Sequence, residues 1–277
     1  MLRLLYITNK PEIAKIAEKA GVDWIFVDLE IKGKKDRQKN RNTVISAHTI
    51  EDVKNIREAI DKSKLLVRIN PIGEWSEQEI NNVIETGADI IMLPYFKTRQ
   101  EVEKFIDLVD GRVKTCLLVE TMEAVDNLEE ILEVKGIDYI HIGLNDIHIQ
   151  RKTDFMFEFL ADGYIDMLAE KFKKRNIPFG FGGVAHMKSE LLPLAKDIIA
   201  EHYRLGSTCV ILSRSFIQYN NEDLREFENE FMNKVQELRN VEKELQQKDK
   251  SFFEKNKEIV KRDIYKVRNI IRNKNAR

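Results

Sequence analysis

The feature that most constrains this chain is a rhythm in which short apolar runs alternate with amphipathic stretches nearly from end to end. The runs are LRLLYI (2–7), WIFVD (24–28), LLVRIN (65–70), IIMLP (90–94), KTCLLVE (114–120), YIHIG (139–143), FGFGG (179–183) and CVILS (209–213). This is the pattern of parallel βαβ units. Between the runs, Val102, Phe105, Ile106 and Val109, and again Ala124, Leu128, Ile131 and Leu132, fall at helical spacing. The phrases AGVDWIFVD, TGADIIMLP and KGIDYIHIG repeat one unit, with Gly21, Gly87 and Gly136 placed to end a helix before a strand. Eight such strands within about 215 residues predict an α/β fold, a (β/α)8 TIM barrel, over a doubly wound open sheet.

Residues 222–277 leave this rhythm: they are rich in Glu, Lys, Asn and Gln and contain no Pro or Gly. Leu224, Phe227, Phe231, Val235, Leu238 and Leu245 follow three-and-four spacing, and Phe253, Val260, Ile264, Val267 and Ile271 resume it after a shift. The expected organisation is a catalytic barrel over 1–221, then a terminal barrel helix with a charged, coiled-coil-like helical extension over 222–277. An apolar stripe longer than a barrel helix would be exposed in a monomer and needs a cover, which predicts a homo-oligomer packed through the tail, with the stripe folding back on its own barrel as the alternative. The chain's net charge is −1, yet residues 246–277 carry +7. A basic helix end suits the helix dipole without a partner, which argues against nucleic acid as its ligand.

No stretch reaches the ~20 apolar residues of a membrane span, and MLRLLYITNK meets charge too soon for a signal peptide, so a cytoplasmic location is expected. Cys116 and Cys209 each sit in an apolar run and read as small buried hydrophobes.

In a barrel, side chains near strand C-termini converge on one mouth. Asp28 ends the second run, Arg68 lies near the end of the third, Glu120 ends the fifth, and Asp146 follows the sixth. Burying such charges is costly unless they pair or bind an ion. They suit either a structural ion-pair network or a hard divalent ion that keeps water or substrate oxygens among its ligands.

These residues lie in phrases that resemble the citrate lyase β-subunit and HpcH/HpaI aldolase superfamily: AGVDWIFVDLE, LLVRINP, GADIIMLP, LLVETMEAVDNLEEI and GIDYIHIGLNDIHI. The resemblance spans about residues 5–216. It implies a metal-dependent carbon–carbon lyase or aldolase acting through an enolate on a 2-oxo acid, such as pyruvate or oxaloacetate, or on an acyl-thioester relative. An aldehyde or acyl compound would be the second reactant. It further implies Glu120 and Asp146 as ligands of Mg²⁺, with Mn²⁺ or Co²⁺ as alternatives, and Arg68 facing the keto or enolate oxygen. Asn145 and Asp146 would meet the substrate carboxylate through backbone groups.

The aldolases of this group carry a His three residues after the strand-two Asp, where this chain has Ile31; DLE and Leu118 resemble the citrate lyase branch instead. Asp28 and Glu30 are candidate bases. His48, at the end of the long connection 29–48, is another if that connection folds it over the mouth. Equally, His48 precedes the second helix, with Thr49 as cap and Asp52 in its first turn. His141 reads as a barrel-wall residue, and His148 stays a candidate by its closeness to Asp146. Gly182 and Gly183, with the SRS turn around Arg214, suit an anion or substrate pocket, or simply tight strand packing. The competing function is a catalytically degenerate barrel that serves as a binding or scaffold protein through its C-terminal helix.

Overall fold

The computed structural model describes residues 1–32, 48–220 and 223–275. Eight strands close into a parallel barrel in chain order, and long helices follow at the C-terminal end. The first half runs β1 (Arg3–Ile7), α1 (Pro11–Lys19), β2 (Trp24–Asp28), α2 (Ile50–Ala59), β3 (Lys64–Arg68), α3 (Ser76–Glu85), β4 (Ile90–Leu93), α4 (Arg99–Val109), β5 (Lys114–Val119), α5 (Met122–Asp126), α6 (Leu128–Ile131) and β6 (Tyr139–Ile142). The second half runs α7 (Leu144–Arg151), α8 (Glu158–Ala161), α9 (Tyr164–Lys174), β7 (Phe179–Val184), α10 (Ala195–Leu205), β8 (Cys209–Leu212), α11 (Leu224–Leu245) and α12 (Lys250–Asn275). Packing divides the chain into two compact units, Leu5–His141 and Met1–Leu4 with Ile142–Arg277.

In the unit Leu5–His141, the repeated phrases have a shared physical cause. Gly21, Gly87 and Gly136 all take positive φ (+90°, +87° and +96°), the left-handed turn that ends a helix and that a Cβ would strain. In two of the phrases the Asp two residues later ties neighbouring strands. Asp89 accepts the Leu65 amide at 2.8 Å and the Lys64 ammonium at 3.0 Å. Asp138 does the same for Thr115 at 2.9 Å and Lys114 at 2.7 Å. These carboxylates sit at strand beginnings, so their role is register and stability. The helical stretch around Ala124–Leu132 is two short helices rather than one, because Asn127 leaves helical geometry and its amide donates to the Lys97 carbonyl at 2.9 Å. Residues 33–47, most of the long connection after β2, lie outside the described residues.

In the unit Met1–Leu4 with Ile142–Arg277, the tail folds back on its own chain. Phe227, Phe231, Val235, Leu238 and Leu245 of α11 are buried, as are Val260 and Ile264 of α12, and α12 packs on α8 and α10. The alternative of a tail that folds back on its own chain is therefore the arrangement seen: α8 and α10 cover the buried face of α12 without a second copy. The docking is also polar. The Glu242 carboxylate, fully buried, accepts the Leu2 amide at 2.6 Å and the Tyr203 hydroxyl at 3.0 Å. Asp166 accepts from Arg204 at 2.6 and 3.1 Å and from Lys257 at 2.9 Å. Arg272 pairs with Asp154, so part of the basic helix end is engaged within the chain.

Among the described residues, no helix is long and apolar enough to cross a membrane. Both cysteines are buried thiols, and burial pushes that of Cys209 up to about 12.

Candidate functional site

The end of β2 and the end of β3 lie in register, with Asp28 beside Arg68. The Arg68 guanidinium donates from Nε to Asp28 Oδ1 at 2.8 Å and from Nη2 to Oδ2 at 2.7 Å, a two-point pair with a carboxylate that is 2% exposed. Glu30 Oε2 lies 3.4 Å from the same Nε. Burial by itself would make Arg68 easier to deprotonate. Asp28, then Glu30 and Glu120, outweigh it and raise the Arg68 pKa above its ordinary value, so the side chain is a fixed cation. Three buried carboxylates thus act on one guanidinium at the ends of β2, β3 and β5.

Glu120 is held from the neighbouring strand end. The Tyr95 amide donates to Glu120 Oε1 at 3.0 Å, and Tyr95 adopts a left-handed backbone (φ +50°) to aim it. A bulky residue there is strained, a cost of the kind that functional sites retain. Thr121, fully buried, donates its hydroxyl to the Phe96 carbonyl at 2.7 Å and caps α5 by accepting the Ala124 amide at 3.0 Å. The two strand ends are therefore stitched on both sides of Glu120.

The turn after β2 is pinned by residues that sequence reasoning passed over. Asn70 Oδ1 accepts the amides of Ile31 at 3.0 Å and Lys32 at 2.9 Å, while its Nδ2 donates to Glu79 at 2.6 Å. Burial raises the Glu79 pKa, and the Asn70 bonds only partly oppose this. The available signal was the polar Asn in LLVRINP, directly after an apolar strand. His48 belongs to the same turn: its Nδ1 accepts the Asp28 amide at 3.0 Å. A neutral imidazole holding that bond carries its proton on Nε2, so it would have to give up the bond to act as a base. Thr49 caps α2 in a reciprocal capping box with Asp52. Lys32, His48, Asn70, Trp75 and Glu79 line a cleft of about 310 Å³.

In the other unit, Asn145 and Asp146 occupy the first turn of α7, both half-buried. Gly182, with φ +53°, lies against the same helix: a Cβ there would come 2.8 Å from Leu144 Cδ1. Gly183 adjoins Ile211 and Ser213 of the β8 end, where a Cβ would meet both residues at 3.3 Å. Both glycines thus permit close packing, whatever else they do. Arg214 is exposed. His141 is 1% exposed within β6, and His148 Nδ1 shares a 2.7 Å hydrogen bond with the Thr153 hydroxyl. Among the described residues, no three His, Cys, Asp or Glu side chains gather as a complete metal cage.

Comparison with known families supplies the deciding observation, since the HpcH/HpaI aldolase/citrate lyase profile matches residues 3–155, more than half of the chain. The chain belongs to this family. The HpcH/HpaI match covers the strand ends that carry Asp28, Arg68 and Glu120, and the first turn of α7 with Asp146. A 2-keto-3-deoxy-L-rhamnonate aldolase of Escherichia coli (strain K12) is 26% identical over 165 residues, 49% of this chain and 56% of that protein. The chain therefore spans just over half the length of the curated relatives it matches. Among solved structures, an HpcH/HpaI aldolase/citrate lyase family protein from Burkholderia cenocepacia J2315 superposes with a TM-score of 0.61 at 15% identity, over 78% of this chain and 89% of that one. An HpcH/HpaI aldolase from Desulfitobacterium hafniense DCB-2 gives 0.55 at 14%, over 76% and 86%. At such identities the two structures speak for the shared fold.

Proposed function

We propose that this HpcH/HpaI family member is a divalent-metal-dependent carbon–carbon lyase or aldolase that acts on a 2-oxo acid through its enolate. The observation that carries this reading is the buried Asp28–Arg68–Glu30–Glu120 cluster at the barrel strand ends. Glu120 and Asp146 are the proposed ligands. Both offer hard oxygen donors, and a pair of carboxylates suits Mg²⁺, which keeps water and substrate oxygens in its shell; Mn²⁺ and Co²⁺ fit the same donors. Bound there, the ion would polarise the 2-oxo group as a Lewis acid.

The chain's own residues supply the rest. In the condensing direction, a base takes a proton from C3 of the 2-oxo acid, and the C–H electrons become the enolate double bond. That carbon then attacks the aldehyde carbonyl, forming one C–C bond, while the carbonyl electrons pass to oxygen and are quenched by a proton. Arg68, held rigidly by Asp28, presents a fixed positive charge to the developing enolate oxygen. Of the candidate bases, Glu30 is the one proposed, since Asp28 has both oxygens on Arg68 and His48 has its Nδ1 engaged with the Asp28 amide. Asn145, Gly182 and Gly183 are proposed to receive the substrate through backbone groups. The two buried thiols accord with a cytoplasmic setting.

The competing reading is a barrel without turnover that binds partners through its tail, and Ile31, in the place of the aldolases' His, favours it. Pyruvate in D₂O with Mg²⁺, Mn²⁺ or Co²⁺ separates the two. Metal-dependent loss of the C3 proton signal by NMR is expected, and tight metal binding with no exchange would favour the degenerate barrel.

A further inference from the structure

A cleft of about 480 Å³ lies at the C-terminal ends of β7 and β8. Its walls are mostly apolar, from Phe155, Phe157, Leu191, Leu192, Pro193 and Val267, with the Ser213–Ser215 turn as a polar edge. Phe155 and Phe157 are half-buried, and Leu191 is 61% exposed, an unusual state for large apolar groups that face a common hollow. Several hundred cubic ångströms is the size of a small-molecule site.

The cleft is built rather than incidental. Phe155 and Phe157 stand edge to face, 5.5 Å apart. Their segment is locked by Glu158, whose carboxylate accepts the Asp154 amide at 2.9 Å and the Phe155 amide at 2.8 Å. Helix α12 clamps the same segment through Arg272 on Asp154 and Arg268 near Glu158, and supplies Val267 as a wall. The tail is thus part of the cleft.

The cleft also adjoins the strand ends named for substrate. Gly183 and Ser213 lie in its lining. A Cβ at Gly182 would come 3.9 Å from the Phe157 ring and 2.8 Å from Leu144, two residues before Asp146.

We propose that this cleft receives the aldehyde and selects an apolar, unhydroxylated chain over a polyhydroxylated one. The inference rests on the enolate chemistry above and names the acceptor class for it. Hydroxyl groups would lose water against aromatic and aliphatic walls without replacement hydrogen bonds, whereas each methylene placed there leaves water favourably.

The test uses the full-length protein with Mg²⁺ or Mn²⁺ and pyruvate, following aldol addition to propanal, butanal, pentanal and hexanal beside glyceraldehyde. The expected kcat/KM rises about two- to fourfold per added methylene, with hexanal at least about tenfold above glyceraldehyde. Leu191→Asp, at an exposed position that does not threaten folding, should cut the hexanal-to-glyceraldehyde ratio by about tenfold, and Val267→Asp should move it in the same direction. Pyruvate C3 exchange in D₂O is measured in parallel. Exchange with a flat or inverted aldehyde series, or a ratio untouched by both variants, overturns the acceptor assignment alone. Absence of exchange overturns the enolate reading, and this assignment with it.

Discussion

Replacing Arg68 by Lys separates what this side chain does for the fold from what it does for catalysis. The guanidinium meets Asp28 at two points, 2.8 and 2.7 Å, with Arg68 15% exposed and Asp28 2% exposed. An ammonium keeps the charge but is a point donor, so one of the two charge-assisted bonds is lost. A hydrogen bond between charged groups contributes about 1.5–3 kcal/mol. At roughly 2–4 °C per kcal/mol for a chain of this size class, Tm should fall by about 3–12 °C. Removing the positive fork from the enolate oxygen should lower kcat by a further factor of about 10², with KM for pyruvate little changed. The assays are thermal unfolding by circular dichroism and steady-state kinetics on the same preparation. An unchanged Tm would refute the two-point pair as a structural element. The expected Tm loss with an unchanged kcat would confine Arg68 to holding the β2 and β3 ends, and would remove it from the proposed mechanism.

Glu120→Gln and Asp146→Asn should each abolish metal-dependent turnover and weaken Mn²⁺ binding by calorimetry, with little loss of secondary structure; full metal affinity in both would remove them as ligands. His48→Ala should lower stability by about 1 kcal/mol through loss of the Asp28 amide bond and keep the acid limb of the pH–rate profile, whereas loss of that limb would make His48 the base. Asp166 is held below the usual carboxylate range, since Arg204 and Lys257 outweigh the opposing effect of burial. Its contribution is present above a pH of about 4, where the unfolded carboxyl is ionised, and is lost as pH falls through the lower folded-state value. Asp166→Asn should therefore destabilise the protein at neutral pH by about 1.5–3 kcal/mol, with the gap closing in acid; a gap independent of pH would dismiss the ion pair as its source. Ending the chain at residue 249 should lower Tm without changing the number of subunits found by light scattering, and a drop to a smaller assembly would show instead that α12 joins copies.

The candidate site was legible in part. Asp28, Arg68 and Glu120 stand out in the sequence because a charge at the end of an apolar strand costs too much to be idle. Their mutual geometry, and the role of Asn70, Glu79, Tyr95 and Thr121 in fixing it, did not. These residues act through backbone amides and through one left-handed φ, which leave no periodic mark on a sequence. The place of the HpcH/HpaI aldolases' His is the clearest case: the sequence offered His48 as a substitute, whereas the structure engages its Nδ1 with a backbone amide.

The sequence by itself determined the barrel, because parallel strands and crossover helices impose two distinct hydrophobic periods, and both are written into the order of residues. It determined the strand beginnings too, through the Gly–x–Asp phrase that ends a helix and, at Asp89 and Asp138, ties the coming strand to the one before it. What covers the tail was decided only by tertiary structure. A stripe of Val260 and Ile264 at helical spacing specifies that something apolar must lie against it, but not whose surface. That was set by the shapes of α8 and α10 and by Asp154, Asp166 and Glu201, more than fifty residues away in sequence, whose charges meet Arg272, Lys257 and Asn256 once the chain has folded back.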